Sequence, residues 1–267
     1  MKIGIFDSGL GGLVITKAFM KALPDYDYIY YGDTAHLPYG DKTSGSILAY
    51  TLEAMRFLIA QNCGLIIIAC NTATSIALRY IQQRFIPAYA PDVKVLGVVI
   101  PTVEIAAARS SSKIGVVATA ATIRSHIFEQ ELHKINPQME IQEIAAPLLV
   151  PAIENNDFSR AAELVKNYAA EFQNIDSLIL GCTHYPLVKD CFRVALPSVN
   201  MISQDELMGT KLADYLSRHI EIDITLSRNG SCLFLVNNLN RHYQHVAATL
   251  FPDIPVREVS GLIERVG

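Results

Sequence analysis

Short apolar segments of strand length alternate with segments of helical periodicity along almost all of the 267 residues. This alternation is typical of βα units, in which a helical crossover joins two parallel strands. The predicted strands are 3–7, 28–31, 65–70, 93–99, 114–119, 141–145, 178–182, 199–203 and 232–236. The predicted helices are 13–23, 46–61, 75–85, 122–134, 158–172, 187–194, 205–219 and 240–250. The pattern therefore predicts an α/β fold with mostly parallel sheets.

An internal repeat divides this pattern into two halves. KIGIFDS at Lys2 matches KIGVVAT at Lys113, 111 positions later, and LIIIACNT at Leu65 matches SLILGCTH at Ser177, 112 positions later. The repeat predicts two pseudo-symmetric α/β domains that face each other across a cleft. The expected boundaries are 1–96 plus 210–267 for a discontinuous first domain and 97–209 for the second. One continuous sheet whose strands resemble each other by chance remains the alternative.

Composition excludes several classes of protein. The chain has 22 Lys and Arg against 26 Asp and Glu, a net charge of -4, so no cationic excess is available for nucleic acid or an anionic membrane surface. The longest uninterrupted apolar run, 65–70, is far too short to span a bilayer. Asp7 interrupts the short apolar stretch at the N-terminus, so we expect no secretory signal. We therefore expect a cytoplasmic protein, whose five cysteines are free thiols rather than a disulfide framework.

Small polar residues and two cysteines follow the predicted strands of both halves: Asp7-Ser8, Cys70-Asn71-Thr72, Thr119 and Cys182-Thr183-His184. Ligands of open α/β sheets bind at the carboxyl ends of strands, next to helix N-termini. A thiol at a helix N-terminus is expected to have its pKa lowered from about 8.5 towards neutrality. Two such thiols on opposite sides of a carbon could exchange its proton between faces, which is racemisation.

Other interpretations of these motifs remain open at this stage. A buried cysteine at a strand end is often a small apolar residue, as we expect for Cys63, Cys191 and Cys232. The Cys182–His184 spacing lacks the second ligand pair of a zinc site, so no metal is expected. The glycines in GLGG at Gly9 match neither common phosphate-binding motif and are explained as well by close backbone packing.

Seven segments together resemble the glutamate racemases of the aspartate/glutamate racemase superfamily. They are IGIFDSGLGGL at Ile3, YYGDTAHLPYG at Tyr30, IIIACNTATS at Ile66, GVVIP at Gly97, IGVVATAATIRS at Ile114, PLLVPAIE at Pro147 and LILGCTHYPLV at Leu178. The resemblance implies interconversion of L- and D-glutamate without pyridoxal phosphate, other cofactor or metal. It also implies a homodimer and a supply of D-glutamate for peptidoglycan.

The resemblance assigns roles to individual residues. Cys70 would be the base that acts on D-glutamate, assisted by Asp7, and Cys182 the base that acts on L-glutamate, assisted by His184. Glu154 would lie near the substrate amino group or the second thiol. The residues that would hold the substrate are Asp7, Ser8, Tyr39, Gly40, Asn71, Thr72, Thr119, Thr183 and His184.

Two departures from the family pattern and three rival functions accompany these roles. Asn155 replaces the second residue of a usual acidic pair, which leaves the role of Glu154 open. The chain begins at its first strand, so no activation through an N-terminal extension is expected. The rival functions are a racemase for aspartate or another amino acid, a protein that only binds a small acidic ligand, and a hydrolase with a cysteine nucleophile.

Overall fold

The computed structural model describes residues 1–109 and 112–259. The strands are β1 Lys2–Asp7, β2 Tyr28–Gly32, β3 Cys63–Ile68, β4 Lys94–Gly97, β5 Lys113–Ala118, β6 Glu140–Ala145, β7 Ser177–Gly181, β8 Asn200–Ile202, β9 Cys232–Val236 and β10 Val256–Glu258. Within the described ranges, no helix has both the length and the apolar character needed to cross a membrane.

The helices surround these strands and connect them. They are α1 Gly11–Ala22, α2 Ser44–Ala60, α3 Asn71–Tyr80, α4 Ile86–Tyr89, α5 Val99–Arg109, α6 Ala120–Arg124, α7 Ile127–Ile135, α8 Leu149–Glu154, α9 Phe158–Ala169, α10 Lys189–Ala195, α11 Gln204–Arg218, α12 Ile220–Asp223 and α13 Arg241–Leu250. Short 3₁₀ turns occupy Thr34–His36, Tyr39–Asp41 and Tyr185–Val188, and one π-helical segment, Ile81–Phe85, joins α3 to α4.

The strands form two separate, entirely parallel sheets. The first has the order β10-β9-β2-β1-β3-β4 and the second the order β6-β5-β7-β8. Strands β2-β1-β3-β4 therefore correspond one to one with β6-β5-β7-β8, as the sequence repeat predicted. The predicted α/β class with two pseudo-symmetric sheets is confirmed, and the alternative of one continuous sheet is wrong.

Strands from the C-terminal part of the chain extend the first sheet. Strand β9 pairs with β2, and β10 pairs with β9. The proposed domain boundaries after residues 96 and 209 agree with this pairing and stay a prediction. Residues 260–267 of the proposed first domain lie outside the described residues.

An apolar layer shared by both sheets holds them together. Four fully buried side chains, Ile3 and Ile5 of the first sheet and Ile114 and Val116 of the second, belong to one apolar cluster together with residues of α1, α5, α7 and α11. Each such buried aliphatic side chain contributes roughly 1.5–3 kcal/mol of hydrophobic free energy relative to an exposed one. Because both sheets pack on common helices, the carboxyl ends of β1, β3, β5 and β7 converge on one cleft.

Several elements differ from the sequence prediction. Apolar residues 97–100 predicted a strand to residue 99, whereas β4 ends at Gly97 and α5 begins at Val99. Pro101 lies in the first turn of α5, where its missing N–H has no intrahelical acceptor to lose. The predicted helix 122–134 is split into α6 and α7 because His126 adopts a left-handed conformation, with φ at 51°. Helix α8 and strand β10 were also not predicted.

Candidate active site

Residues that follow β1, β3, β5 and β7 line one small cavity, whose volume is about 20 Å³. Its lining comprises Ser8, Leu37, Pro38, Tyr39, Gly40, Asp41, Cys70, Asn71, Thr72, Thr119, Pro147, Val150, Cys182, Thr183 and His184. All the site residues predicted from the sequence are in this set except Asp7 and Glu154, each of which is hydrogen-bonded to a lining residue. A cavity of this volume accommodates about one water molecule, so the cleft is closed.

Cys70 is the N-cap of α3, so the fold places its sulfur at a helix N-terminus. Its Sγ accepts a hydrogen bond from the Ala73 amide at 3.5 Å and lies 3.5 Å from Ser8 Oγ. Burial nevertheless raises the pKa of the Cys70 thiol to about 12, and the negative charge of Asp7 adds to this rise. The expectation of a lowered pKa is therefore wrong for the closed cleft, because desolvation outweighs the two hydrogen bonds.

Asp7 ends β1 and is fully buried beneath the cavity. Its Oδ1 accepts a hydrogen bond from the Gly9 amide at 2.9 Å, and its Oδ2 accepts one from Thr183 Oγ1 at 3.1 Å. Burial raises the pKa of Asp7 to about 6, although the positive charge of His184 opposes the shift. The carboxyl group thus links the first strand of one sheet to the residue after Cys182 in the other.

Cys182, His184 and Glu154 form a chain of polar contacts on the opposite side. The Nδ1 atom of His184 is 3.7 Å from Cys182 Sγ, and its Nε2 atom is 2.5 Å from Glu154 Oε1. Burial lowers the pKa of His184, but hydrogen bonds to Cys182 and Glu154 outweigh it and raise the pKa well above its usual value. His184 is therefore held between the second cysteine and a carboxylate, and both contacts favour its protonated form.

The two glycines that begin α1 allow its backbone to approach both the opposite half of the site and the end of β1. A Cβ on Gly11 would lie 2.5 Å from the His184 backbone nitrogen, and one on Gly12 would lie 2.7 Å from Asp7 Cγ. The amide of Leu10, which precedes these glycines, donates to Glu154 Oε1 at 3.0 Å. Close backbone packing therefore accounts for this segment better than a phosphate-binding turn does.

Hydroxyl groups connect the two halves on the far side of the cavity. Thr72 Oγ1 is 2.8 Å from Thr119 Oγ1, and both contact Thr122 Oγ1, at 3.3 and 2.9 Å. A Cβ on Gly40 would lie only 2.8 Å from Thr119 Cβ, so this wall is tightly packed as well. Tyr39 and Gly40 belong to the turn that covers the cavity.

The sequence did not point to several polar residues that support this wall. Asp33 accepts a hydrogen bond from Tyr39 Oη at 2.5 Å and also contacts His36 and Asn237. Its position directly after β2, at the same edge of the sheet as Asp7, was the available signal. Gln204 bonds to Asn71 from a position 133 residues away, and no local pattern indicates that contact.

Other cysteines and potential metal ligands lie outside the cavity. Cys63, Cys191 and Cys232 are free thiols that do not line it, as expected. The described residues include one group that could hold a metal ion, His126, Glu129 and Glu143, whose ligand atoms lie within 4.8 Å of one another. The His126 side chain is 57 % exposed, and its Nδ1 lies 3.1 Å from Glu129 Oε2 and 3.2 Å from Glu143 Oε2, so polar contacts account for the arrangement.

Comparison with known proteins places this site in a family. The family model for Asp/Glu/Hydantoin racemases matches residues 14–203. A glutamate racemase of Roseobacter denitrificans is 39% identical over 235 residues, which cover 82% of this chain and 86% of that protein.

Solved structures agree with the sequence comparison. A glutamate racemase isoform of Bacillus anthracis superposes with a TM-score of 0.88 at 29% identity, over 98% of both chains. The glutamate racemase of Francisella tularensis, solved in complex with D-glutamate, superposes with a TM-score of 0.86 at 32% identity, over 99% of this chain and 98% of that one. The resemblance inferred from the sequence motifs is confirmed, and the chain belongs to the Asp/Glu/Hydantoin racemase family.

Proposed function

We propose that this chain interconverts L- and D-glutamate by a two-base proton transfer in which Cys70 and Cys182 alternate as base and acid. The observation that carries the proposal is the placement of these two thiols. They follow equivalent strands, β3 and β7, of the two pseudo-symmetric sheets, and both line the same cavity. A substrate held there has one sulfur available from each half of the protein.

The proton balance of this reaction requires one thiolate and one thiol. The thiolate removes the α-proton and becomes a thiol, while the bond's electron pair passes to the α-carbon and spreads onto the substrate carboxylate. The opposite thiol then donates its proton to the other face of the carbon and becomes the thiolate. Product release leaves the two protonation states exchanged, and proton exchange with water restores them. Each transfer is general acid–base catalysis by a positioned side chain.

The electrostatics of the closed cleft differ between the two sides in a way that suits this scheme. Burial keeps Cys70 as a thiol, because it raises the pKa of that group to about 12. On the other side, His184 Nδ1 lies 3.7 Å from the sulfur of Cys182 and provides a partner for proton transfer. We therefore assign the acid to Cys70 and the base to Cys182 for the direction that starts from L-glutamate. This agrees with the family resemblance, in which Cys182 acts on L-glutamate and Cys70 on D-glutamate.

The residues around the thiols provide donors for an acidic substrate. Hydroxyl groups of Ser8, Thr72 and Thr119 and the amide of Asn71 line the cavity, and α3 and α6 begin there with their backbone N–H groups. Thr183 also lines the cavity, but its hydroxyl donates to Asp7. Preorganised donors of this kind stabilise the charge that develops on the carboxylate when the α-proton leaves. Tyr39, Gly40, Asp7 and His184 complete the proposed binding set.

Glu154 acts through His184 in this proposal. It shares a short hydrogen bond with His184 Nε2, and the same oxygen accepts the Leu10 amide. Burial would raise the pKa of Glu154, but the hydrogen bond from His184 lowers it below its usual value, so the carboxylate stays charged. The structure therefore favours the second of the two roles expected for Glu154, near the second thiol.

The cellular part of the proposal follows the family likeness. We propose that the protein acts in the cytoplasm as a homodimer and supplies D-glutamate for peptidoglycan.

The cleft must open to admit substrate, because the closed cavity holds about one water molecule. Closure of the cleft around the bound substrate then excludes water during the proton transfers.

Exchange of the substrate α-proton in heavy water tests the chemistry directly. Wild-type protein is expected to incorporate deuterium at the α-carbon of glutamate and to bring either enantiomer to an equal mixture. Cys70→Ser and Cys182→Ser should each lower racemisation by at least about a hundredfold, the lower end of the effect of a general base. Cys191→Ser, which removes a half-buried thiol outside the cavity, is the matched control.

Each rival function predicts a different outcome. Near-normal turnover by either serine variant would overturn the two-thiol mechanism. A protein that only binds glutamate would show no deuterium uptake, and a cysteine hydrolase would accumulate a covalent adduct visible by mass spectrometry. Polarimetry with glutamate, aspartate and other amino acids distinguishes the proposed substrate from that of another racemase.

A further inference from the structure

Gln204 is a fully buried polar residue that contacts the candidate active site. It lies at the start of the connection from β8 of the second sheet to β9 of the first. It is the first residue of α11, and only Ser203 separates it from the end of β8. Its side chain forms a reciprocal pair with Asn71: Asn71 Nδ2 donates to Gln204 Oε1, and Gln204 Nε2 donates to Asn71 Oδ1, both at 2.8 Å. Asn71 follows Cys70 and lines the cavity.

A pair of amides joined in this way can satisfy both hydrogen bonds in two orientations. If both side-chain amides rotate by half a turn together, each donor takes the place of an acceptor and the two bonds form again. The pair alone therefore does not determine whether Asn71 presents its oxygen or its nitrogen at a given point of the cavity wall.

Thr102 removes this ambiguity. Thr102 Oγ1 donates to the backbone oxygen of Val98 at 2.6 Å, so its hydrogen is already used and its oxygen can only accept from another group. Gln204 Nε2 donates to that oxygen at 3.0 Å. Rotation of the Gln204 amide would place its oxygen against the Thr102 oxygen, and both are acceptors. A single orientation therefore satisfies the two side-chain amides, the Thr102 hydroxyl and the Val98 carbonyl.

We infer that Gln204 is a positioning residue, which with Thr102 fixes the orientation of the Asn71 amide and so sets the donor and acceptor that Asn71 presents to the substrate. After the two reciprocal bonds, Asn71 retains one N–H and part of the capacity of its oxygen. These groups lie one residue from the thiol of Cys70. This inference rests on the proposed function for the identity of the substrate, but its structural part does not depend on that function.

The hydrogen bonds that run from Thr102 through Gln204 to Asn71 form a relay. Burial of this relay strengthens its control of the Asn71 amide. Gln204 and Thr102 are fully buried and Asn71 is 2 % exposed, so water does not compete for their hydrogen bonds. An unpaired buried donor or acceptor is costly, so the alternative orientation is strongly disfavoured. Gln204 and Thr102 do not line the cavity, and their effect on turnover must therefore pass through Asn71.

Isosteric variants test the relay on the full chain. Gln204→Met removes both amide groups, and Thr102→Val removes only the hydroxyl that selects one orientation. We expect Gln204→Met to raise the KM for glutamate about tenfold, the factor that corresponds to the loss of one buried hydrogen bond. Thr102→Val should give a smaller rise in KM. Thr102→Ser keeps the hydroxyl and should have the same KM as wild type.

The ¹⁵N–¹H signals of the Asn71 side-chain amide report its hydrogen bonds directly. If Gln204 and Thr102 only filled space, these signals would not follow the presence of the Thr102 hydroxyl. They should shift or broaden in Gln204→Met and Thr102→Val and match wild type in Thr102→Ser. Folded variants with unchanged Asn71 signals and unchanged KM would overturn the inference. A wild-type protein without racemase activity would instead overturn the proposed function, while the Asn71 signals would still decide the relay.

Discussion

The hydroxyl groups of Thr72 and Thr119 meet across the cleft, with 2.8 Å between their Oγ1 atoms. One threonine follows the cysteine of the first half and the other caps the helix after the first strand of the second half. Their contact closes the wall of the cavity. A substrate that uses either hydroxyl must replace this bond with one to itself, so opening of the cleft and binding of substrate are coupled here.

Replacement of Thr119 should therefore affect binding of substrate. Thr119→Val removes the hydroxyl, and we expect the KM for glutamate to rise about tenfold, as for the loss of one hydrogen bond to a charged group. Thr119 Oγ1 also accepts the Thr122 amide at the start of α6, so Thr119→Val should lower the free energy of unfolding by about 1 kcal/mol. Thr119→Ser keeps both bonds and is the control. Steady-state kinetics and urea unfolding separate the two effects.

Asp7 should control the reactivity of Cys70. The negative charge of Asp7 helps to raise the pKa of Cys70, although burial is the larger cause. Asp7→Asn removes this charge, so the pKa of Cys70 should fall but remain above that of an exposed thiol. Alkylation of Cys70, followed by mass spectrometry as a function of pH, measures the shift. Asp25→Asn, at an exposed position, should leave the profile unchanged.

Glu154 should control the proton on His184. Cys182 and Glu154 together raise the pKa of His184 and favour its protonated form. Glu154→Gln removes one of these two causes, and the pKa should fall. The alkaline decline of kcat/KM, where His184 loses its proton, should then begin at lower pH than in wild type.

NMR titration of His184 in both proteins checks this assignment. The titration midpoint of His184 should be lower in Glu154→Gln than in wild type. An identical midpoint in both proteins would contradict the proposed role of Glu154. Glu163→Gln is the matched control, because Glu163 is exposed and pairs only with Arg160 in the described structure.

Gly11 should be intolerant of a side chain, because a Cβ there would lie 2.5 Å from the His184 backbone nitrogen. Backbone at this distance cannot rotate away, so Gly11→Ala should lower the free energy of unfolding by roughly 1–3 kcal/mol. A Cβ on Gly45, which also lies in a helix, would meet no atom closer than 4.0 Å. Gly45→Ala should therefore increase stability by up to about 1 kcal/mol, through helix propensity. Equal stability of the two variants would refute the close contact at Gly11.

Much of the fold and part of the site followed from local sequence. The alternation of apolar and amphipathic segments predicted the parallel α/β class, because strand and helix periods depend only on neighbouring residues. The recurrence of the segments that end at Cys70 and Cys182 predicted equivalent strands, and β3 and β7 hold the same place in their sheets. Polar residues at strand ends were predicted to converge, since parallel strands end at a common edge.

Where the local signal was ambiguous, the prediction was wrong. The apolar residues at Val98 and Val99 suit a strand or a buried helix equally well, and the start of α5 depends on packing against the rest of the molecule. The pKa of Cys70 was also misjudged. A helix N-terminus is visible in the sequence, whereas burial, which dominates the pKa, depends on the whole fold.

By itself, the sequence determined the class of fold, the two equivalent cysteines and the family likeness, because each depends on residue types in a fixed local order. Only the tertiary structure decided which distant groups share hydrogen bonds: Asp7 with Thr183, Glu154 with His184, and Gln204 with Asn71. These contacts join residues between 30 and 176 positions apart. Their energies depend on exclusion of water from a closed cleft, which exists only when both sheets have packed on their shared helices.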